Sequence, residues 1–90
     1  MQGQFDKAEA LAVGLVNLNH QLLGLEHPET LAALDNLGFV FKDQGRLAEA
    51  KQVWFQVLQG SMKVLGQEHP YTFSVMKALA RVRKEQGRTN

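Results

Sequence analysis

Three basic residues near the end of the sequence have a spacing that places them on one face of a helix. Lys77, Arg81 and Lys84 stand at positions i, i+4 and i+7. Ammonium and guanidinium groups arranged in this way can bind carboxylates through charge-assisted hydrogen bonds. The simpler interpretation is a solvated basic helix face, with Asp35 and Asp43 as its intramolecular partners. The cluster therefore predicts either an anion-preferring surface or an ordinary helix surface.

The three histidines do not have the spacing of a metal site. His27 and His69 occupy equivalent places in the sequence, each directly before a proline, and stacked helix pairs would hold them about 10 Å apart or more. A shared metal ion needs its ligands about 2 Å away, and no third ligand recurs with them. We expect both side chains to have a structural role at helix starts, and His20 to lie on a polar surface. Neither a metal site nor a cofactor is predicted.

The sequence offers few groups for nucleophilic catalysis. The serines are Ser61 and Ser74, and neither lies in a Gly-x-Ser-x-Gly turn. Cysteine is absent, which removes thiolate nucleophiles, thiolate metal sites and disulfides. A phosphate loop of the Gly-x-x-x-x-Gly-Lys type is also missing, and the carboxylates are scattered rather than paired. We therefore expect a protein that is not an enzyme.

Length and charge narrow the class of protein further. Ninety residues suit a single domain, and 44% hydrophobic with 21% charged residues is typical of a folded chain. Residues 1–69 carry five basic and eight acidic residues, net −3, whereas residues 70–90 carry five and one, net +4. The acidic body and the lack of aromatic residues between the basic ones argue against nucleic acid as a partner. With no membrane-length apolar run and no secretory signal, we expect a cytoplasmic protein without membrane contact.

An internal repeat defines the elements that position these residues. Leu-Gly-Leu-Glu-His-Pro-Glu-Thr at 23–30 recurs as Leu-Gly-Gln-Glu-His-Pro-Tyr-Thr at 65–72, and Gln-Gly-Arg at 44–46 recurs at 86–88. Both pairs are offset by 42 residues. Residues 1–90 are therefore predicted to be one segment of about two 42-residue units.

Apolar residues between these markers recur at helical spacing. The same face is formed by residues 8, 11, 12 and 15 and, one period later, by residues 50, 53, 54 and 57. Pro28 and Pro70 suit the first turn of a helix, and Gly45 and Gly87 suit the turn after one. The pattern predicts an all-α protein with helices at about 5–23, 28–43, 47–65 and 70–86. The short connections make neighbouring helices antiparallel.

This pattern resembles the tetratricopeptide repeat. The segment Leu-x-x-Leu-Gly-x-x-Phe at 34–41, followed by Ala-x-x-x-Trp at 50–54, fits the family's arrangement of small and aromatic residues. The longer period, the Leu-Gly-x-Glu-His-Pro-x-Thr junction and Asp-Asn-Leu-Gly at 35–38 are similar to repeats of the kinesin light chain type, as in fungal and bacterial NTPases of the innate-immune receptor kind. The resemblance implies an α-solenoid with helices in the order B-A-B-A. It also implies a scaffold that binds proteins or peptides.

The resemblance assigns a peptide-binding groove to the concave face formed by the A helices. In the tetratricopeptide frame the groove candidates are Asn36, Phe39, Lys42, Lys77, Arg81 and Lys84. Asn36 matches an asparagine that contacts ligand backbone in the kinesin relatives, whereas the second copy has Ala78 at that place. The expected partner is a protein or peptide segment, with a preference for one that carries carboxylates.

The alternative function is self-association. A chain that begins on a B helix and closes on an A helix leaves two end faces that stacked repeats would normally bury. We therefore expect a segment of a longer array whose isolated form homo-oligomerises. The residues assigned to this contact are Phe55, Val75, Leu79 and Val82, with Met76 beside them. At the other end, Leu11, Leu15 and Leu18 are expected to need a partner.

Overall fold

The chain folds into four helices that follow one another in space as they do in sequence. The computed structural model describes residues 2–89 and the side chains of residues 7–88. The helices are α1 (Gln2–Leu23), α2 (Pro28–Asp43), α3 (Leu47–Val64) and α4 (Pro70–Thr89). Each helix packs mainly on the next one along the chain, which confirms the predicted all-α helical repeat. Within the described residues, no helix is both long enough and apolar enough to cross a membrane.

The two Leu-Gly-x-Glu-His-Pro-x-Thr junctions fold in the same way. Gly24 and Gly66 have φ angles of +93° and +94°, a left-handed conformation that glycine adopts without a steric penalty. The carbonyl oxygens of these glycines accept hydrogen bonds from the hydroxyls of Thr30 and Thr72, at 2.7 and 2.8 Å. Because both threonines are fully buried, each hydroxyl fixes the start of its helix against the preceding turn.

The two junction histidines cap the helices that follow them. The Nδ1 atom of His27 accepts the backbone N–H of Glu29 at 3.1 Å, and that of His69 accepts the backbone N–H of Tyr71 at 3.0 Å. The first turn of a helix leaves such N–H groups without an intrahelical partner. The predicted structural role of both histidines at helix starts is therefore confirmed.

Close helix contact at the centre of the fold depends on a glycine facing an aromatic ring. Trp54 of α3 is 1% exposed and lies against Gly38 of α2, where an added Cβ would stand 2.7 Å from the indole atoms Cε2 and Nε1. Leu31 makes a similar approach to Gly60. Large side chains thus fill the space left by glycines on the facing helix, which keeps α2 and α3 close together.

The apolar residues of α4 do not form the unfinished face that the repeat pattern suggested. Val75, Leu79 and Val82 are buried in the core that α4 shares with α3, so the prediction that they are free to contact another copy is wrong. The large apolar residues that α4 exposes within the described side chains are Phe73 and Met76. Periodicity identified an apolar stripe on this helix but could not show which neighbour covers it.

The predicted turn at Gly87 is also wrong, because α4 continues through it to Thr89. One period earlier, Gly45 does form a turn, with φ of +79°. Arg46 holds that turn through an ion pair with Glu9 and by placing its guanidinium 4.5 Å from the centroid of the Phe41 ring. The residues one period after Glu9 and Phe41 are basic, so an arginine there finds no such support.

Candidate functional site

A pocket of about 280 Å³ opens between α2 and α4, and Trp54 of α3 also lines it. Its lining consists of Phe39, Lys42, Trp54, Ser74, Lys77, Ala78 and Arg81. Four of the six groove candidates therefore lie together, Phe39 and Lys42 from α2 and Lys77 and Arg81 from α4, although the two pairs are at least 35 positions apart in the sequence. The pocket combines an aromatic floor with positive charge at its rim, an arrangement suited to an apolar group beside an anion.

The other two groove candidates lie outside this pocket. Asn36 is exposed on α2 and Lys84 is exposed on α4, and neither belongs to the pocket lining. Lys84 follows Arg81 by three residues, which places it about one helical turn further along α4. A bound segment that extends past the pocket along α4 would meet Lys84 next.

The floor of the pocket is a pair of aromatic rings. Phe39 and Trp54 meet edge to face, with centroids 5.0 Å apart and ring planes at 81°. Phe39 is 46% exposed, whereas Trp54 is buried. Aromatic pairs in this geometry are more favourable than burial of their area alone. Phe39 thus presents a fixed apolar face to solvent, and Trp54, assigned from sequence to the core, also supports the site.

A half-buried carboxylate holds the tryptophan in place. The indole N–H of Trp54 donates to Oδ1 of Asp35 at 2.7 Å. Burial raises the pKa of Asp35 above its ordinary value, and the hydrogen bond from Trp54 opposes that rise. The sequence pointed to Asp35 as a partner for the basic face, but its observed partner is the indole.

The three basic residues of the pocket form no ion pair with any side chain that the structure describes. Within residues 7–88, salt bridges are formed by Arg46, Lys63 and their glutamate partners, and none involves Lys42, Lys77 or Arg81. Neither Asp35 nor Asp43 neutralises them. Because these cations are not already paired, they remain available to an anionic ligand.

A tyrosine near Asp35 is a polar group that the sequence did not reveal. The hydroxyl of Tyr71 is buried and has no hydrogen-bond partner among the described residues. Burial, with the charge of Asp35 as a smaller contribution, raises the pKa of Tyr71 to about 12. In the sequence, Tyr71 differs from its equivalent in the first copy, Glu29. That difference alone does not indicate that the hydroxyl is buried.

The residues assigned to self-association divide between surface and core. Phe55 is 53% exposed and borders a second pocket, between α3 and α4. Val75, Leu79 and Val82 are buried, as described above. At the other end of the fold, the expected exposure is present on α1, where the exposed leucines are Leu11, Leu15, Leu18, Leu22 and Leu23.

Comparison with protein families identifies one repeat unit. Residues 30–71 match the family model described as Tetratricopeptide repeat. The match supports a tetratricopeptide repeat over α2, α3 and the start of α4, and its length equals one 42-residue period. Repeats of this kind stack into interaction scaffolds with concave binding surfaces. A comparison with curated proteins finds no match.

Proposed function

We propose that this chain is a non-enzymatic scaffold that binds a partner peptide in the pocket between α2 and α4. The observation that carries the proposal is the set of cations Lys42, Lys77 and Arg81, which form no ion pair within residues 7–88 and surround the exposed ring of Phe39. The preferred segment carries an apolar side chain flanked by carboxylates. The apolar group covers Phe39, and the carboxylates accept hydrogen bonds from the three cations.

The size of the pocket limits how much of the partner it can hold. A volume of about 280 Å³ lies just below the range for small-molecule sites, roughly 300–1,000 Å³. We infer that one large apolar side chain of the partner enters the pocket. The rest of the segment then lies along α4 towards Lys84, where its carboxylates meet further positive charge.

Fluorescence anisotropy with two labelled peptides tests this proposal. In one peptide Leu alternates with Glu, and in the other Leu alternates with Lys. The acidic peptide is expected to bind, and the basic one is not. Lys77→Glu together with Arg81→Glu should lower the affinity for the acidic peptide by at least about tenfold, because two attractive contacts become repulsive. Added salt should weaken the native complex in the same direction.

A charge change elsewhere on the chain provides the matched control. Lys51→Glu with Arg83→Glu alters the total charge by the same amount but lies in the pocket between α3 and α4. This control should leave the affinity for the acidic peptide nearly unchanged. Equal weakening by both double variants would contradict a specific groove, since it would show that only net charge matters.

We further propose that the unit is the 42-residue kinesin light chain type of tetratricopeptide repeat and serves assembly or sensing in a larger cytoplasmic protein. The 42-residue period and Asn36, which is exposed in the middle of α2, support this closer assignment. Asn36→Ala should lower the affinity for the acidic peptide without changing the preference of the chain for acidic over basic peptides. The reason is that the amide would contact the ligand backbone rather than its side chains. An unchanged affinity would argue against the kinesin-like role of Asn36.

A second candidate function, self-association, is favoured by the leucine face of α1. Leu11 and Leu22 are 71% and 72% exposed, and contiguous exposed apolar faces commonly mark contacts between proteins. Sedimentation equilibrium should then show a mass that rises with concentration and returns to that of a monomer in Leu11→Glu with Leu18→Glu. A native chain that stays monomeric at high concentration would contradict this candidate. Leu79→Glu is unsuitable as a test, because Leu79 belongs to the core.

A further inference from the structure

A second and larger pocket lies on the other side of α4. It measures about 740 Å³ and is lined by α3 and α4, with Lys51, Phe55 and Leu58 from α3 and Leu79 and Arg83 from α4. Residues 79 and 83 lie two positions beyond residues 77 and 81, which is about 200° around the helix. The pocket is therefore separate from the peptide groove proposed above. We call it the α3/α4 groove.

The internal repeat shows how such a groove is covered. One period earlier, the residues equivalent to Lys51 and Arg83 are Glu9 and Phe41. There the start of α3 lies over the pair, because its N-cap residue, Arg46, contacts both. The guanidinium forms an ion pair with Glu9 at 2.5 Å and lies 4.5 Å from the centroid of the Phe41 ring. A basic N-cap residue on the covering helix thus meets an acidic and an aromatic residue in the groove.

The α3/α4 groove has the opposite charge. Lys51 stands where the first copy has a glutamate, and Arg83 stands where it has a phenylalanine. A helix that covers this groove in the manner of α3 must therefore present a carboxylate at its N-cap. Aspartate is among the preferred residues at that position, and negative charge is favourable at the positive end of the helix dipole. Both the positive charge of the groove and the residue preferences at helix starts therefore favour an acidic N-cap residue on the covering helix.

A second copy of this chain does not meet that requirement. If α1 of another copy took the place of α3, Lys7 would stand where α3 has Glu49, close to the two cations of the groove. Leu18 would stand at the place of Gly60, where an added Cβ is already 2.6 Å from the side chain of the facing leucine. Both charge and volume therefore disfavour stacking of identical chains through this groove.

The residues of α4 that would face the covering helix also constrain its sequence. Ala80 occupies the place of Gly38, whose missing Cβ makes room for Trp54. The covering helix therefore needs a smaller residue than tryptophan at the position of Trp54. Phe73, which is 56% exposed, occupies the place of Leu31, so a small residue such as the glycine that faces Leu31 is required opposite it.

We propose that the α3/α4 groove binds an amphipathic helix of a partner polypeptide that has Asp or Glu at its N-cap. An aliphatic residue follows at the position equivalent to Trp54, and Gly or Ala follows at the position equivalent to Gly60. The carboxylate pairs with Lys51 and Arg83, and the apolar face covers the exposed rings of Phe55 and Phe73. This partner helix is distinct from the segment proposed for the peptide groove, and binding at one site does not depend on the other.

The test uses two synthetic helices that differ at one residue. The probe has the sequence of residues 46–64 with Arg46→Asp and Trp54→Leu, and the reference retains Arg46 but carries the same Trp54→Leu change. Because short helices are marginal in water, both contain the same side-chain lactam on the outward face. The intact chain should bind the acidic probe about tenfold more tightly than the reference, as measured by fluorescence anisotropy.

Charge reversal of the groove should invert that preference. Lys51→Glu with Arg83→Glu should favour the reference helix, whereas Lys77→Glu with Arg81→Glu should leave the order unchanged. Lys51→Gln with Arg83→Gln, which carries less risk to folding, should abolish the preference. Equal affinity of both helices, no binding by either, or a concentration-dependent mass of the chain that collapses in Phe55→Glu would each overturn the proposal. The last result would place a second copy in the groove.

Discussion

Alanine substitutions at three helix glycines should have different effects because their surroundings differ. Gly14, Gly38 and Gly60 lie inside α1, α2 and α3. In a helix interior, alanine is more favourable than glycine by about 1 kcal/mol. A Cβ added at Gly14 meets nothing within 4 Å. Gly14→Ala should therefore stabilise the fold by about 1 kcal/mol, which corresponds to a rise in Tm of roughly 4–8 °C.

Gly38→Ala should instead destabilise the fold. The new Cβ would lie 2.7 Å from Cε2 and Nε1 of Trp54 and 3.1 Å from Cδ1. The indole cannot move aside easily, because it is buried and donates a hydrogen bond to Asp35. Overpacking of this kind costs about 1–3 kcal/mol. After the gain in helix propensity, the net loss should reach up to about 2 kcal/mol.

Gly60→Ala should fall between the other two variants. Its nearest contact would be Cδ2 of Leu31 at 2.6 Å, the end of a side chain that can change rotamer, although Leu31 is buried. Urea unfolding followed by far-UV circular dichroism and by the fluorescence of Trp54 measures all three variants. If Gly38→Ala were as stable as Gly14→Ala, the close contact of the indole with α2 would be refuted.

Two further predictions concern the Tyr71 hydroxyl and the half-buried Asp35 carboxylate beside the peptide groove. Tyr71→Phe should stabilise the fold by about 1 kcal/mol in urea unfolding, because it removes a buried hydroxyl without a hydrogen-bond partner among the described residues; a loss of stability would show that the hydroxyl is satisfied. Asp35→Asn should change the pH dependence of stability, because burial raises the pKa of Asp35 in the folded state. Its favourable contribution is complete below the unfolded pKa of about 4 and is lost as the pH rises through the folded pKa. The native chain should thus lose stability relative to Asp35→Asn as the pH rises above about 4, and parallel curves would contradict the raised pKa.

The repeat made much of the fold predictable from sequence. The bounds of α2 agree with the prediction at both ends, and α3 ends one residue before its predicted end. The Leu-Gly-x-Glu-His-Pro-x-Thr motif carries its own local hydrogen bonds, so the chain around it can be inferred without knowing the rest of the structure. Four groove candidates share one pocket because helical spacing and the repeat frame fix which side of α2 and α4 they occupy.

The features that the sequence did not predict depend on contacts between helices. The burial of Val75, Leu79 and Val82 is decided by how α4 lies against α3, which an apolar stripe alone does not show. Gly45 and Gly87 lie in the same local sequence, Gln-Gly-Arg, yet the chain turns at Gly45 and remains helical at Gly87. They differ because one is held by distant residues and the other is not. The burial of the Tyr71 hydroxyl is likewise determined by the packing around it rather than by its neighbours in the sequence.

The central claim is that the pocket between α2 and α4 binds a peptide with carboxylates beside an apolar residue. The most direct measurement is a titration of the isotope-labelled chain with the alternating Leu and Glu peptide, followed by backbone amide and Trp54 indole resonances in NMR. Saturable shifts concentrated at Phe39, Lys42, Lys77 and Arg81, together with the indole, are predicted. Shifts spread over the exposed face of α1, or no saturable shifts at all, would contradict the claim.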